Sequence, residues 1–220
     1  MFEDRRTKIY IYTSLILGLI AIAFFIISTF VLMIIVEDHD FIKDVISVMG
    51  HDNSYAWLFN LTLILSGILM TPGFPAIYLV MKKLDDTRPK LLLSVTILGT
   101  LIGPFVSLAG VFNEGTHFVL HIVFAVGAYG FVIFAAFLWG IYIWKLDGEH
   151  PYKSNKLFYL DISVNFIIIA CMISYAIAMS FFQWFIWDTL GILEKITIYA
   201  FFIYFILIII RILVISAKKE

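Results

Sequence analysis

The sequence predicts an all-α protein, a polytopic bundle of six transmembrane helices with both termini in the cytoplasm. Of its 220 residues, 62% are hydrophobic and only 14% are charged, whereas a soluble domain is typically about half apolar and a quarter charged. The apolar residues form six runs, and about 20 such residues are enough to cross a bilayer as a helix. Lys and Arg are distributed very unevenly between the two sets of connecting loops. These three observations exclude a separate soluble catalytic domain and predict one domain, residues 1–220.

The first apolar run and the segment after it differ in character. The first span covers about residues 9–36 and is long enough to cross the membrane at a tilt. The next segment carries several acidic residues and places apolar residues at helical spacing. This pattern predicts a short amphipathic helix over about residues 41–49, lying on the outer membrane surface and ended by Gly50.

The second and third spans both contain proline. The second covers about residues 55–81 and contains Pro72 and Pro75. A proline inside a helix removes a backbone hydrogen bond and clashes with the preceding turn, so this span should kink near its middle. The third span covers about residues 91–112 and contains Pro104.

Three further apolar runs complete the bundle. A short polar turn precedes the fourth span, and Thr116 in that turn is the expected N-cap, because its hydroxyl can accept a bond from the first helical turn. The remaining spans cover about residues 117–144, 157–185 and 192–215.

The basic residues predict the orientation of the bundle. Of the 15 Lys and Arg residues, only Lys43 and Lys195 fall on the side away from the termini. Positive residues concentrate in cytoplasmic loops, so we predict an integral cell-membrane protein with both termini inside. Arg211 lies within the last apolar run, and its long side chain is expected to snorkel to the inner interface. No nucleic-acid-binding motif is present, and the expected partners are membrane lipids.

Polar residues cluster on the predicted outer side. In the turn Val111–His121, the residues Glu114, His117 and His121 share one face if helical geometry extends through the turn. His121 would lie about 6 Å deeper than His117, inside the outer edge of the membrane. An ionisable residue there is costly and is a functional hypothesis by default. The predicted outer polar pocket consists of Asp44, Ser47, His51, Trp57, Asn60, Glu114, His117, His121 and Glu194.

Three interpretations of this cluster remain open. The first is a zinc site, in which His117 and His121 bind the metal, Glu114 completes the ligands and the metal activates a water. The second pairs a carboxylate with a histidine, as an acid–base couple or as an anchor for a lipid head group. The third is structural, with His121 hydrogen-bonded to Asn60 or to a backbone carbonyl so that it holds neighbouring helices together.

Several short motifs resemble a prokaryotic membrane family known as domain of unknown function 998. The family pattern is roughly D-x-I-S-x-x-G, then W-x-x-N, a G-x-F-P-x-(D/E) turn, a helix-opening histidine and G-x-x-E before the final span. The matching segments here are 44–50, which reads DVISVMG, and 57–60, which reads WLFN. In the turn, Asn113 replaces the proline, and His117 is additional to the pattern. The site residues that the resemblance carries over are Asp44, Ser47, Trp57, Asn60, Glu114, His121 and Glu194.

The resemblance implies a six-helix fold, distantly similar to the Frag/DRAM/Sfk group of eukaryotic membrane proteins, and no known reaction. The residues themselves favour binding or handling of a lipid or other amphiphile, in an outer-leaflet pocket floored by His121 and Asn60 and covered by the 37–53 segment. The alternative is a metal-dependent or acid–base hydrolase acting on a lipid, with zinc as the candidate cofactor. Transport of a small solute is the third hypothesis and ranks below the other two. Transporters usually contain repeats and a midplane site, whereas the two halves of this chain show no similarity.

Overall fold

The chain is an all-helical, multi-pass membrane protein. The computed structural model describes residues 4–36, 40–51, 53–146, 148, 150, 152–153, 157–181 and 187–218. Within these residues, five helical segments are long and apolar enough to span a membrane, and a shorter apolar helix, Phe158–Ser174, accompanies them. The predicted end of the fifth span, residues 182–185, lies outside the described residues. The helices are α1 (Arg5–Ile35), α2 (Ala56–Met70), α3 (Gly73–Leu84), α4 (Pro89–Val111), α5 (Glu114–Trp144), α6 (Leu157–Phe181) and α7 (Trp187–Lys218), with a 3-10 helix at Ile46–Gly50.

The second apolar run is interrupted where its prolines predict. Helix α2 ends at Met70 and α3 begins at Gly73, so one span is built from two helices. Pro75 occupies the first turn of α3, where the missing N–H is not needed by the helix. Thr71 Oγ1 donates to the carbonyl of Gly67 at 2.8 Å, which supplies a donor near the break. The break divides the span between Met70 and Gly73.

Small residues allow α2 and α4 to approach closely. A Cβ added to Gly67 would lie 2.8 Å from the backbone nitrogen of Ser107 and would overlap the carbonyl oxygen of Gly103. Ser107 Oγ donates across the interface to the carbonyl of Ile64 at 3.0 Å. Membrane helices are commonly held together by close contacts at small residues and by interhelical hydrogen bonds. They fix α4, whose last turns form one wall of the site described below.

The predicted amphipathic helix over 41–49 is not formed. Residues 41–43 form a turn instead, because the Asp40 side chain accepts from the backbone N–H groups of Ile42, at 2.8 Å, and Lys43, at 3.1 Å. Such local side-chain bonds compete with helix formation. The chain then becomes extended at Val45 before the 3-10 helix, in which Ile46 is buried. This segment therefore packs onto the bundle, and we call residues 40–51 the cap.

The predicted N-cap of the fourth span is wrong by three residues. Helix α5 begins at Glu114, and the Asn113 side chain accepts from the backbone N–H of Thr116 at 2.9 Å. Asn113 has extended backbone angles and precedes Thr116 by three positions, which is the geometry of an N-cap. Thr116 lies in the first turn of the helix that it was expected to cap.

The basic residue in the last span is also placed differently from the prediction. Arg211 is buried, forms an ion pair with Asp161 of α6 and donates to the carbonyl oxygen of Tyr152. The Tyr152 hydroxyl donates to Asp161 at 2.9 Å, and its ring centre lies 3.9 Å from the Arg211 guanidinium carbon. Burial, followed by the Asp161 charge, raises the pKa of the Tyr152 phenol, which therefore stays protonated. The snorkelling prediction is wrong because a partner carboxylate lies within the bundle.

Candidate functional site

A cavity of about 120 Å³ lies among the helices beside the cap. Most of its wall is apolar and comes from every part of the bundle except α3. The polar residues that line it are Ser47 of the cap, His121 and Tyr129 of α5, and Glu194 of α7. The cavity is thus an apolar chamber with a small polar wall, and we call these four residues the polar wall. Representative apolar residues are Phe25, Phe59, Ile102, Val132, Met172 and Phe201.

Glu194 is the acidic member of the polar wall and is 6% exposed. One carboxylate oxygen accepts from the backbone N–H of Ile46 at 2.5 Å. The other accepts from the Tyr129 hydroxyl at 3.3 Å. The side chain therefore joins α7 to the cap and to α5. Through the bond to the Ile46 N–H, Glu194 fixes the cap above the cavity.

Lys195 is buried and is directed to different partners from those of Glu194. Its ammonium group donates to the carbonyl oxygens of Phe41, at 3.0 Å, and of Asp44, and it lies 5.2 Å from the centre of the Phe41 ring. The backbone N–H of Ile192 also donates to the carbonyl of Ile42 at 2.9 Å. The start of α7 thus binds the cap through three main-chain carbonyl oxygens, those of Phe41, Ile42 and Asp44.

His121 combines a structural contact with a place in the cavity wall. Its Nδ1 lies 2.8 Å from the carbonyl oxygen of Ala109 and 3.2 Å from that of Phe112. Carbonyl oxygens only accept, so Nδ1 carries the proton and donates. The predicted contact with a backbone carbonyl is therefore present, and it joins α5 to the end of α4. The ring can offer only its Nε2 edge to the cavity, and in the neutral imidazole Nε2 is an acceptor.

The three predicted zinc ligands do not converge. His117 has φ −138° and ψ 51°, which breaks the helix and removes the common face that Glu114, His117 and His121 were expected to share. The His117 ring instead lies against its neighbour, with Thr116 Oγ1 2.8 Å from Nδ1. Across the described part of the chain, no group of three or more His, Cys, Asp or Glu side chains is placed to hold a metal ion. These residues do not fit a zinc site.

Two other predicted site residues support the cap. The main-chain carbonyl of Asp44 accepts a hydrogen bond from the Lys195 ammonium group. The Asp44 carboxylate accepts from the backbone N–H of Asp40 at 2.8 Å. Asn60 Nδ2 lies 3.5 Å from the carbonyl oxygen of Gly50, at the outer limit of a hydrogen bond. Asn60 Oδ1 is buried and has no hydrogen-bond partner within the described residues. Asn60 therefore lies under the cap, and the partner of His121 is a carbonyl rather than this amide.

The remaining predicted residues lie away from the cavity wall. Trp57 is 64% exposed. His51 is exposed at the end of the cap. Glu114 has one buried carboxylate oxygen, Oε2, without a hydrogen-bond partner among the described residues. The structure therefore brings together only Ser47, His121 and Glu194 of the nine predicted pocket residues around the cavity.

Sequence reasoning missed Tyr129, although a signal for it exists. His121, Ala125 and Tyr129 follow one another at four-residue spacing on α5 and all line the cavity. Side chains four apart lie on the same helix face, and Ala125 is small enough to leave space between the two larger groups. A small residue between two polar ones on one helix stripe would have pointed to a cavity rather than to a packed contact.

The comparisons with known proteins identify a family and no activity. The model of a family described as "Protein of unknown function (DUF998)" matches residues 19–211. The matched range includes the cap, the polar wall and both members of the buried Asp161–Arg211 pair. Comparison with curated proteins gives no match, and neither does comparison with solved structures.

Proposed function

The chain belongs to the family described as protein of unknown function DUF998, and we propose that it binds a small amphiphile of the membrane in the cavity beside the cap. The apolar part of the ligand would occupy the chamber between the helices. Its polar end would contact Ser47, His121 and Glu194. The observation that carries this proposal is the combination of an apolar chamber and a polar wall in one cavity.

The size of the cavity limits what can enter it. An apolar cavity of about 150 Å³ stays dry and takes up benzene, and the present cavity is about 120 Å³. The chamber therefore suits a segment of up to about six carbon atoms rather than a whole acyl chain. A ligand of this kind is a short amphiphile, or a lipid of which one end enters the protein.

The predicted topology supplies the route to the ligand. With both termini in the cytoplasm, the cap and the polar wall would lie at the outer leaflet, at the depth of the lipid head groups. An amphiphile in that leaflet would then have its polar end at the same depth as Glu194. It would therefore enter the cavity without moving its polar group into the hydrocarbon core.

A substitution that fills the cavity tests the proposal. Val132 lines the cavity and is 5% exposed, so Val132→Trp should fill part of the chamber. Val123, on the same helix, is 53% exposed, and Val123→Trp is the matched control. The probe is 1-hexanol added to detergent-solubilised protein, with the thermal unfolding midpoint as the readout, because a ligand that binds only the folded state raises it.

We expect 1-hexanol to raise the unfolding midpoint of the wild-type protein and of Val123→Trp, and to leave Val132→Trp unchanged. An equal response of all three proteins would show that the alcohol acts through the detergent or the protein surface. That result would refute binding in the cavity.

Acid–base hydrolysis of an ester is a second candidate function, and the placement of Ser47 and His121 favours it. His121 is held through Nδ1 and can offer Nε2 as a base, and Ser47 lines the same cavity with a hydroxyl. Nucleophilic catalysis needs the serine hydroxyl within hydrogen-bond reach of the base, so this second candidate requires Ser47 to approach His121 Nε2 when a substrate is bound. If the protein is a hydrolase, Ser47→Ala and His121→Gln should each reduce cleavage of p-nitrophenyl butyrate by about 100-fold or more. Equal rates for wild type and Ser47→Ala would rule this mechanism out.

A further inference from the structure

We infer that the ligand of this cavity carries a hydrogen-bond-donating, positively charged head, a primary ammonium group on a short apolar chain. This inference rests on the proposed function and specifies its ligand. The motivating observation is a buried carboxylate, Glu194, in a cavity whose described wall contains no Lys or Arg.

The polar wall offers a ligand mainly acceptors. When it is ionised, the Glu194 carboxylate has about four acceptor positions, and the contacts with Ile46 and Tyr129 use two of them. The contact with the Tyr129 hydroxyl, at 3.3 Å, is longer than the usual range of about 2.5–3.0 Å for such bonds. The oxygen that faces Tyr129 is therefore weakly held and can accept a further donor. His121 adds a second acceptor through Nε2.

The nearest basic side chain along the chain does not enter the cavity. Lys195 follows Glu194 directly, but its ammonium group is directed at the carbonyl oxygens of Phe41 and Asp44 in the cap. Lys195 is also not part of the cavity wall. A carboxylate in an apolar chamber gains most from a partner that is both a donor and a cation. A ligand ammonium would supply that partner.

The same arrangement disfavours anionic ligands. A carboxylate or phosphate head next to Glu194 would place two negative charges together in a medium of low dielectric constant, where their repulsion is much stronger than in water. No positive side chain of the described wall would offset that repulsion. A neutral alcohol would be accepted, because it can donate to Glu194 or to His121, but without the charge contribution. The expected order of affinity is therefore amine, then alcohol, then carboxylate.

Three probes of equal chain length test this order at pH 7: hexylamine, 1-hexanol and hexanoate. Dissociation constants are derived from ligand-dependent thermal unfolding of the purified protein. Each is also measured on Val132→Trp, which reports binding outside the cavity. Glu194→Gln removes the charge but keeps an oxygen that can accept from Ile46. Tyr129→Phe removes a neighbouring hydroxyl and keeps the carboxylate, so it is the matched control.

We expect Glu194→Gln to weaken hexylamine binding by about tenfold, which corresponds to about 1.4 kcal/mol, and to change 1-hexanol binding much less. Tyr129→Phe should keep the preference for the amine. If hexanoate binds the wild-type protein as tightly as hexylamine, or if Glu194→Gln keeps the amine preference, the inference is overturned while the cavity remains a binding site. If none of the probes distinguishes wild type from Val132→Trp, the proposed function itself fails. If Glu194→Gln does not fold, the order of the three probes on wild type and Tyr129→Phe decides.

Discussion

Replacing Gly191 by alanine should detach the cap from α7. A Cβ at this position would lie 2.6 Å from the carbonyl oxygen of Lys43 and 2.6 Å from the carbonyl carbon of Asp44. Both are main-chain atoms, which cannot rotate out of the way as a flexible side chain can. The cap must therefore shift, and the bond from the Ile192 N–H to the Ile42 carbonyl and those of the Lys195 ammonium group are the contacts at risk.

The size of the effect follows from the bonds that would be lost. A neutral hydrogen bond contributes about 0.5–1.5 kcal/mol and one to a charged group about 1.5–3 kcal/mol. Loss of one bond of each kind lowers the stability of the docked cap by about 2–4 kcal/mol. At about 1.4 kcal/mol for each tenfold change, the cap amides of Gly191→Ala should exchange about 30- to 700-fold faster. Hydrogen–deuterium exchange with mass spectrometry of the 41–50 peptide measures this directly.

Gly130→Ala is the matched control for Gly191→Ala. Nothing lies within 4 Å of a Cβ built on Gly130, which is inside α5. Alanine there should leave cap exchange unchanged and stabilise the helix by about 0.5–1 kcal/mol. If the cap amides of Gly191→Ala exchange within about threefold of the wild-type rate, a difference of under about 0.7 kcal/mol, the steric argument is refuted.

Two further substitutions test the buried polar contacts. Asp161→Asn leaves the Arg211 charge buried without its counterion and should lower the free energy of unfolding by about 3–5 kcal/mol. The double variant Asp161→Asn/Arg211→Met should recover most of that stability, as measured by detergent-induced unfolding. An additive loss of stability in the double variant would contradict the pairing. His121→Gln removes the bond to the Ala109 carbonyl and should cost about 1–3 kcal/mol. His117→Gln, outside the cavity, should stay within about 0.5 kcal/mol of wild type, and a larger loss for His117 than for His121 would reverse their assigned roles.

The sequence predicts the helical segments well because a membrane span needs a long apolar run, and such runs are visible in one dimension. The break at Pro72 was predictable for the same reason, since a proline changes the backbone whatever surrounds it. The family was also predictable, because short motifs such as DVISVMG are read directly from the chain. The orientation inferred from Lys43 and Lys195 depends on the membrane, and it stays a prediction.

The predictions that were wrong concern features that depend on local dihedral angles or on contacts between distant residues. The His117 backbone leaves helical geometry within a segment whose residue types permit a helix. The three predicted metal ligands therefore do not share one helix face. The Asp40 side chain stopped a helix that the apolar spacing favoured. Asp161 and Arg211 are 50 positions apart, so their pairing follows from the packing of α6 against α7 and has no local signal. Charge alone therefore suggested snorkelling for Arg211.

The two ends of α7 contact different parts of the protein, and this difference bears on how a ligand enters and leaves. Toward its end, Arg211 joins α7 to α6 through a buried ion pair, and Asn165 joins α6 to α5 by donating to the carbonyl of Ala136 at 2.9 Å. These contacts hold three helices together away from the cap. At the start of α7 the contacts are instead made to the cap, a segment without an α-helix. We therefore expect the cap, rather than the helical bundle, to move when a ligand enters or leaves. We expect Gly191→Ala to accelerate both association and release of hexylamine without lowering the stability that Asp161 provides. Unchanged rates of hexylamine association and release in this variant would show that the ligand enters between the helices instead.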